Sequence, residues 1–284
     1  MLFKKSQHGW RLLRQSLAYF QRHKKLLILP LIGRGFFFMV FGGMGLVFWA
    51  MRSKKIDYYH WSGKEILLFY AAILLAALLA NMVSSYFSGT LIVCMRQNEN
   101  GAKTDLSASL RAAKQRLGVI FYAILANFTL NIIAMIFRGK FKESDRLGQL
   151  LSGLNWAWAY FLVFPLIMNE TAGFLPSLQR SSQLMRHFAG KNPQIHYTFA
   201  WLSLALRLLC SIPMIAGFLT GQTVWSMVGS VITVLLYLGI AVILNGTSVI
   251  ISQAFYQYIA HGKTITNFQT TDLATAISPS FFIS

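Results

Sequence analysis

Long apolar runs decide what this chain can become. Six stretches, near residues 26–51, 65–96, 118–137, 147–169, 196–220 and 223–259, are apolar enough and long enough to cross a bilayer. About 20 residues suffice for one crossing. In hydrocarbon every backbone N–H and C=O must find a partner within the protein, which makes each run a helix. The expected fold is an all-α membrane protein with about six transmembrane helices. The runs at 65–96 and 223–259 exceed what a crossing needs, so each is expected to tilt or to project beyond the bilayer.

Composition agrees. The chain is 55% hydrophobic and only 12% charged, against about 25% charged in a soluble domain. No stretch between the runs is long enough for a soluble domain. The chain therefore divides into a basic amphipathic N-terminal helix at 1–25, a transmembrane domain at 26–262, and a Thr/Ser/Ala-rich tail at 263–284 that is expected to be flexible. The N-terminal segment has a long basic region and spaced apolar residues, unlike a cleaved secretory signal, and is expected to be retained.

The 26 Lys and Arg against 8 Asp and Glu give a net charge of +18. These charges flank the apolar runs in short segments, a pattern that suits anionic lipid head groups rather than nucleic acid. With six crossings, sixteen Lys and Arg fall on the side of the N-terminus and eight on the other. The positive-inside rule then places both termini in the cytoplasm.

Three segments on that side have helical periodicity with one apolar and one basic face. In 8–24 the stripe is Trp10, Leu13, Leu17 and Phe20; in 104–117 it is Leu106, Leu110, Ala113 and Leu117; in 175–189 it is Leu178, Met185, Phe188 and Ala189. Thr104 or Asp105 is placed to cap the second. Arg11, Arg14, Arg111, Lys114, Arg180 and Arg186 are the candidate head-group contacts. The first helix can lie in the membrane interface or pack as a solvated helix on the membrane domain. Each segment precedes a membrane hairpin and carries a Ser-Leu pair: Ser16-Leu17, Ser109-Leu110 and Ser177-Leu178. This repetition, if structural, describes units of one orientation.

Polar residues inside the runs form the other candidate set: Arg207, Glu170, Asn127, Asn131, Asn155 and Asn245. Asn127 and Asn131 lie one turn apart, on one helix face. Such amides act as interhelical glue or line a polar path. An arginine near mid-run is expensive in lipid, so Arg207 is expected to meet Glu170, an Asn, or a carbonyl freed by Pro213. Pro165 and Pro213 are expected to bend their helices. Arg34 is expected to snorkel to the cytoplasmic interface, and Gly42, Gly43 and Gly45 to permit close helix approach. Cys94 and Cys210 read as buried thiols. The sequence has neither CxxC nor a Cys/His cluster, so neither a metal nor a cofactor is implied.

Three blocks carry a resemblance: GWRLLRQSLAYFQRHKKLLILPLIG, LSASLRAAKQRLGVIFYAILA and LNWAWAYFLVFPLIMNETAGFLPSLQRSSQLMRHFAG. In their order, and over most of residues 9–210, they resemble an uncharacterised family of prokaryotic six-helix integral membrane proteins, a domain of unknown function. Pro165-x4-Glu170 and the following Pro-Ser-Leu match its pattern best. The resemblance implies a bacterial inner-membrane protein and carries no activity with it.

Three functions compete. One is a non-enzymatic membrane protein that engages anionic lipids, a membrane partner or a second copy of itself through its basic helices. Another is a transporter or channel for a small or lipidic anion, with a polar site around Arg207. The third, an enzyme, is disfavoured. No Walker A, HExxH or GxSxG motif occurs, and no pair of carboxylates lies in a crossing.

Overall fold

The computed structural model describes residues 2–53, 63–137, 160–189, 195–265, 268–271 and 273. All the regular structure of the described residues is helical. We number the helices α1 (Leu2–Arg22), α2 (Ile28–Ser53), α3 (Gly63–Glu99), α4 (Leu106–Gln115), α5 (Leu117–Phe137), α6 (Val163–Asn169), α7 (Phe174–Ala189), α8 (Ile195–Leu219) and α9 (Thr223–His261). A 3-10 turn, Lys24–Leu27, joins α1 to α2. Three spans are long and apolar enough to cross a membrane: Lys24–Gly45, Leu67–Glu99 and Val224–His261. Leu117–Leu130 and Leu204–Leu219 are shorter apolar helices. Most of the fourth predicted crossing, including Asn155, lies outside the described residues.

α3 has 37 residues and α9 has 39, or about 55 and 58 Å at 1.5 Å per residue, against a hydrocarbon core of about 30 Å. Burial shows where the excess goes. On α3, Leu67, Leu68, Leu74, Leu75 and Leu79 are exposed, and burial begins at Ala80. On α9, large apolar side chains are exposed from Val224 to Leu236 and again at Ile243; Val242, Ile250, Ile251 and Phe255 are buried. Val224 to Ile243 is about 30 Å of helix, one bilayer core. Leu208, Leu209, Ile212, Ile215 and Phe218 of α8 extend the same exposed belt. The molecule thus has two tiers: an apolar belt, and a protein core built around the far ends of the two long helices.

That core has two parts. One gathers Leu12, Tyr19 and Phe20 of α1 with Leu91 and Met95 of α3, Leu166 of α6 and Phe255 and Tyr256 of α9. The other gathers Ile92 and Val93 of α3 with Ala113, Ile120 and Ile124 near the α4–α5 junction, Ile167 of α6 and Phe174 of α7. α3 and α6 run between the two and contribute to both.

The amphipathic helices turn their closest faces onto this core, along stripes rotated from those expected. On α1 the buried set is Leu12, Leu13, Ser16, Tyr19 and Phe20, while Trp10 is 56% exposed. The rotation arises because a serine serves as the close-approach residue: the Ser of each Ser-Leu pair (Ser16, Ser109, Ser177) is buried. Ser16 and Ser109 hydroxyls donate to the carbonyls of Leu12 and Asp105, four residues back, so a small polar group is satisfied within its own helix. Asp105 caps α4 by accepting from the Ser107 and Ala108 N–H groups.

Two local features bear on the expectations for the glycines and the tail. The described residues leave open space around Gly42, Gly43 and Gly45. Close approach occurs at other glycines: a Cβ on Gly229 would stand 2.3 Å from the Pro213 carbonyl oxygen, and one on Gly246 would stand 2.6 Å from the Phe20 ring. The start of the tail is not loose either, because Ile265, Phe268 and Leu273 are buried in the core. Residues 274–284 lie outside the described residues.

The two prolines differ. The helical path breaks at Leu162 before Pro165, whose ring opposes the carbonyl four residues back. α8 continues through Pro213; there the Met214 N–H donates across to Thr233 Oγ1 of α9 at 3.1 Å.

Candidate functional site

Two polar centres involve the candidate intramembrane residues. The first is a knot at the end of α6. Glu170 closes this helix and accepts from Arg180 Nε of α7 at 2.9 Å, with the second carboxylate oxygen 2.7 Å from the same nitrogen. The Tyr256 hydroxyl of α9 donates to Glu170 at 3.3 Å, and His261 Nε2 lies 3.2 Å from that hydroxyl. Arg96 of α3 donates to the Met168 carbonyl at 3.2 Å, and Arg116 to the Thr171 carbonyl at 2.8 Å. These two arginines occupy the negative end of the helix, where cations are favoured. Asn169 Nδ2 donates to the Pro165 carbonyl and to Gln253 Oε1.

Thr171 sits in this knot at φ 55°, the left-handed region where a β-branched residue is disfavoured. The Arg116 bond to its carbonyl and the anchoring of Glu170 on either side hold it there. Five elements therefore converge on Asn169-Glu170-Thr171. Asn169 Oδ1 and Gln253 Nε2 are buried without a hydrogen-bond partner among the described residues, and the remaining bonds fasten α3, the α4–α5 junction, α6, α7 and α9 together.

The second centre joins α2 and α9. Arg34 Nη2 donates to Asn245 Oδ1 at 2.9 Å. Its Nε is buried and has no hydrogen-bond partner among the described residues. The guanidinium carbon lies 5.9 Å from the centre of the Phe37 ring. Arg207 is exposed on α8. Arg34 is not free to reach an interface, as a snorkelling side chain would be.

The candidate polar residues do not converge on one point. Glu170 pairs with Arg180, not Arg207. Asn245 and Tyr256 are eleven residues apart on α9, or about 16 Å along the axis, which separates the two centres. Asn127 is half-buried in α5, and the side chain of Asn131 lies outside what is described. Arg34 was missed as a site residue because its partner is 211 positions away. The only signal in the sequence was that each is a polar interruption of an apolar run.

Among the head-group candidates, Arg11, Arg14, Arg111 and Lys114 are exposed. Arg180 is also exposed but engaged by Glu170, and the Arg186 side chain lies outside the described part. Asp105, at the cap beside Arg111, has its carboxyl pKa lowered, first by the Ser107 hydroxyl hydrogen bond and then by the Ala108 N–H. The described residues contain no group of three or more His, Cys, Asp or Glu that could hold a metal ion.

The described residues are helical, with three helices long and apolar enough to span a membrane. The chain belongs to a family of unknown function, DUF6159, whose sequence model matches residues 64–266. The match begins after the GWRLLRQSLAYFQRHKKLLILPLIG block and continues past residue 210 to the end of α9. No curated protein and no solved structure matches the chain.

Proposed function

We propose that this is a multi-pass protein of the bacterial inner membrane that crosses six times with both termini in the cytoplasm. In this reading it works without catalysis, engaging anionic lipids, or a partner, through its basic helices. The observation that carries it is the placement of α1 and α4. Each buries a small or apolar face against the protein core and leaves its basic residues exposed, Arg11 and Arg14 on one and Arg111 and Lys114 on the other. Each Lys or Arg near an anionic surface contributes about 1 kcal/mol. The absence of a catalytic constellation from the sequence supports the non-enzymatic reading.

The test is lipid selection by the purified chain in nanodiscs of mixed phosphatidylglycerol and phosphatidylcholine. Enrichment of phosphatidylglycerol is expected, falling with salt and in the variant Arg11→Gln/Arg14→Gln/Arg111→Gln/Lys114→Gln. Equal recovery of both lipids by wild type would contradict the reading. A second reading, transport of an anion past Arg207, draws on the position of this arginine inside an apolar run. The exposure of Arg207 on the belt side favours a molecule lying alongside the protein over one passing through it.

A further inference from the structure

The joint between α1 and α2 sorts its side chains into columns. Lys24–Leu27 is a 3-10 turn, in which side chains three apart stand one above the other. One column points inward. The His23 ring lies against Tyr19, centroids 4.8 Å apart, and its Nδ1 is 3.5 Å from Asn98 Nδ2 of α3. Leu26 and Leu29, next in that column, are buried in the core. The turn is closed by the Leu26 N–H donating to the His23 carbonyl at 2.9 Å, and the His23 N–H to the Tyr19 carbonyl at 3.0 Å.

The other two columns point outward. Lys24 stands over Leu27 and Lys25 over Ile28, and all four are exposed. On α2 the helical spacing of four carries these columns on to Leu31 and Ile32, also exposed. Arg22, the last residue of α1, is exposed beside the lysines. The exposed surface therefore changes character within one turn: Gln21, Arg22, Lys24 and Lys25 on one side, Leu27, Ile28, Leu31 and Ile32 on the other. α9 changes at the same level. The Phe20 and Pro30 rings both abut Gly246, three residues past Ile243, the last large apolar side chain exposed on that helix. Among the described residues no carboxylate pairs with Arg22, Lys24 or Lys25. Uncompensated cations at the head of two aliphatic columns match a molecule with an anionic head and two hydrocarbon tails.

We propose that this elbow seats one anionic phospholipid per chain. Arg22, Lys24 and Lys25 hold its phosphate, and its acyl chains lie along Leu27–Leu31 and Ile28–Ile32. The two ammonium groups act as point charges, and the arginine fork takes phosphate oxygens two at a time. The inward column fixes the turn in advance, so little order has to be gained on binding. The proposal deepens the lipid-engaging reading and rests on it for the membrane setting. It differs in place, since none of its three cations belongs to the set Arg11, Arg14, Arg111 and Lys114.

The test uses the full chain in nanodiscs of phosphatidylglycerol and phosphatidylcholine, with a trace of either lipid carrying a diazirine near the carboxyl end of its acyl chains. After illumination, mass spectrometry compares labelling by the two probes at Leu27–Ile32 and at Val224–Leu236 of α9, a stretch without Lys or Arg. Phosphatidylglycerol is expected to exceed phosphatidylcholine at the elbow at least about fivefold, the factor that one Lys or Arg near the surface supplies, and to match it on α9. Arg22→Gln/Lys24→Gln/Lys25→Gln is expected to abolish the excess, and Lys24→Arg/Lys25→Arg to keep it. All three side chains are exposed, so these variants should melt with the wild type, which separates loss of lipid from loss of fold. Equal ratios at the two places in the wild type, or an excess that survives the triple substitution, would overturn the proposal. The variant Arg11→Gln/Arg14→Gln/Arg111→Gln/Lys114→Gln is expected to keep the elbow excess; its disappearance there would assign the excess to the basic helices and overturn the site. An elbow excess that this variant leaves untouched, together with its unchanged overall lipid selection, would support the site while contradicting the role of those helices.

Discussion

The two halves of α9 have similar apolar content and different surroundings. From Val224 to Ile243 the helix shows large apolar side chains outward; from Ile250 to Ile259 such side chains are packed into protein. α3 makes the same change at Leu79–Ala80. Apolarity alone therefore does not mark the segment that lies in lipid. What distinguishes the buried halves is company: α1, α4, α6 and α7 pack around them. An amphipathic helix beside a long apolar one covers part of its apolar surface.

The sharpest way to break this comparison is to truncate one side chain in each tier. Phe255→Ala, in the core, should destabilise by about 3–5 kcal/mol, whereas Leu75→Ala, on the belt, should change stability by no more than about 0.5 kcal/mol. Thermal unfolding in lipid nanodiscs reads both, and equal losses would erase the distinction. Next in size is the belt's own packing. Gly229→Ala puts a methyl group against the Pro213 carbonyl, where backbone must move. A loss of about 1–3 kcal/mol is expected, against near-neutrality for Gly43→Ala, which meets open space among the described residues.

Tyr19 sharpens the account of α1. Burial pushes its hydroxyl up to about 12 from an ordinary 10. A folded-state pKa above the unfolded one gives stability that is whole below pH 10 and lost as pH rises toward 12. At pH 11 the wild type should have lost about 1 kcal/mol, a loss that Tyr19→Phe removes. An alkaline melting series would show parallel curves for the two proteins if α1 were undocked. The smallest effect is expected at the knot. Glu170→Gln keeps an acceptor for Tyr256 and loses an ion pair whose arginine side chain is 52% exposed, so about 0.5 kcal/mol is expected after solvent screening.

The sequence made the long helices legible through run length; just past their ends stand Gly101 and Gly262, both found at positive φ. It also flagged the Pro165 to Glu170 element, which proves to be where five elements are fastened. The orientation of the amphipathic helices was harder to read, because Ser16, Ser109 and Ser177 count as polar in a pattern yet occupy the buried face. The tail hid its docking residues, Ile265, Phe268 and Leu273, among threonines, though their spacing of three and five was a usable signal. The Arg34–Asn245 bond was beyond local pattern, since its two residues are 211 positions apart on different helices.

The central claim, that one half of each long helix faces lipid while the other is enclosed by protein, is tested most directly by spin labels along α9 in nanodiscs. Labels at Leu235, Ser248 and His261 would be read for collisions with oxygen, which concentrates in hydrocarbon, and with a water-soluble nickel chelate. The account predicts a high oxygen-to-nickel ratio at Leu235, a fall by Ser248, and full access to the nickel reagent at His261. A ratio at Ser248 and His261 as high as at Leu235 would place the whole helix in lipid and contradict the two-tier fold.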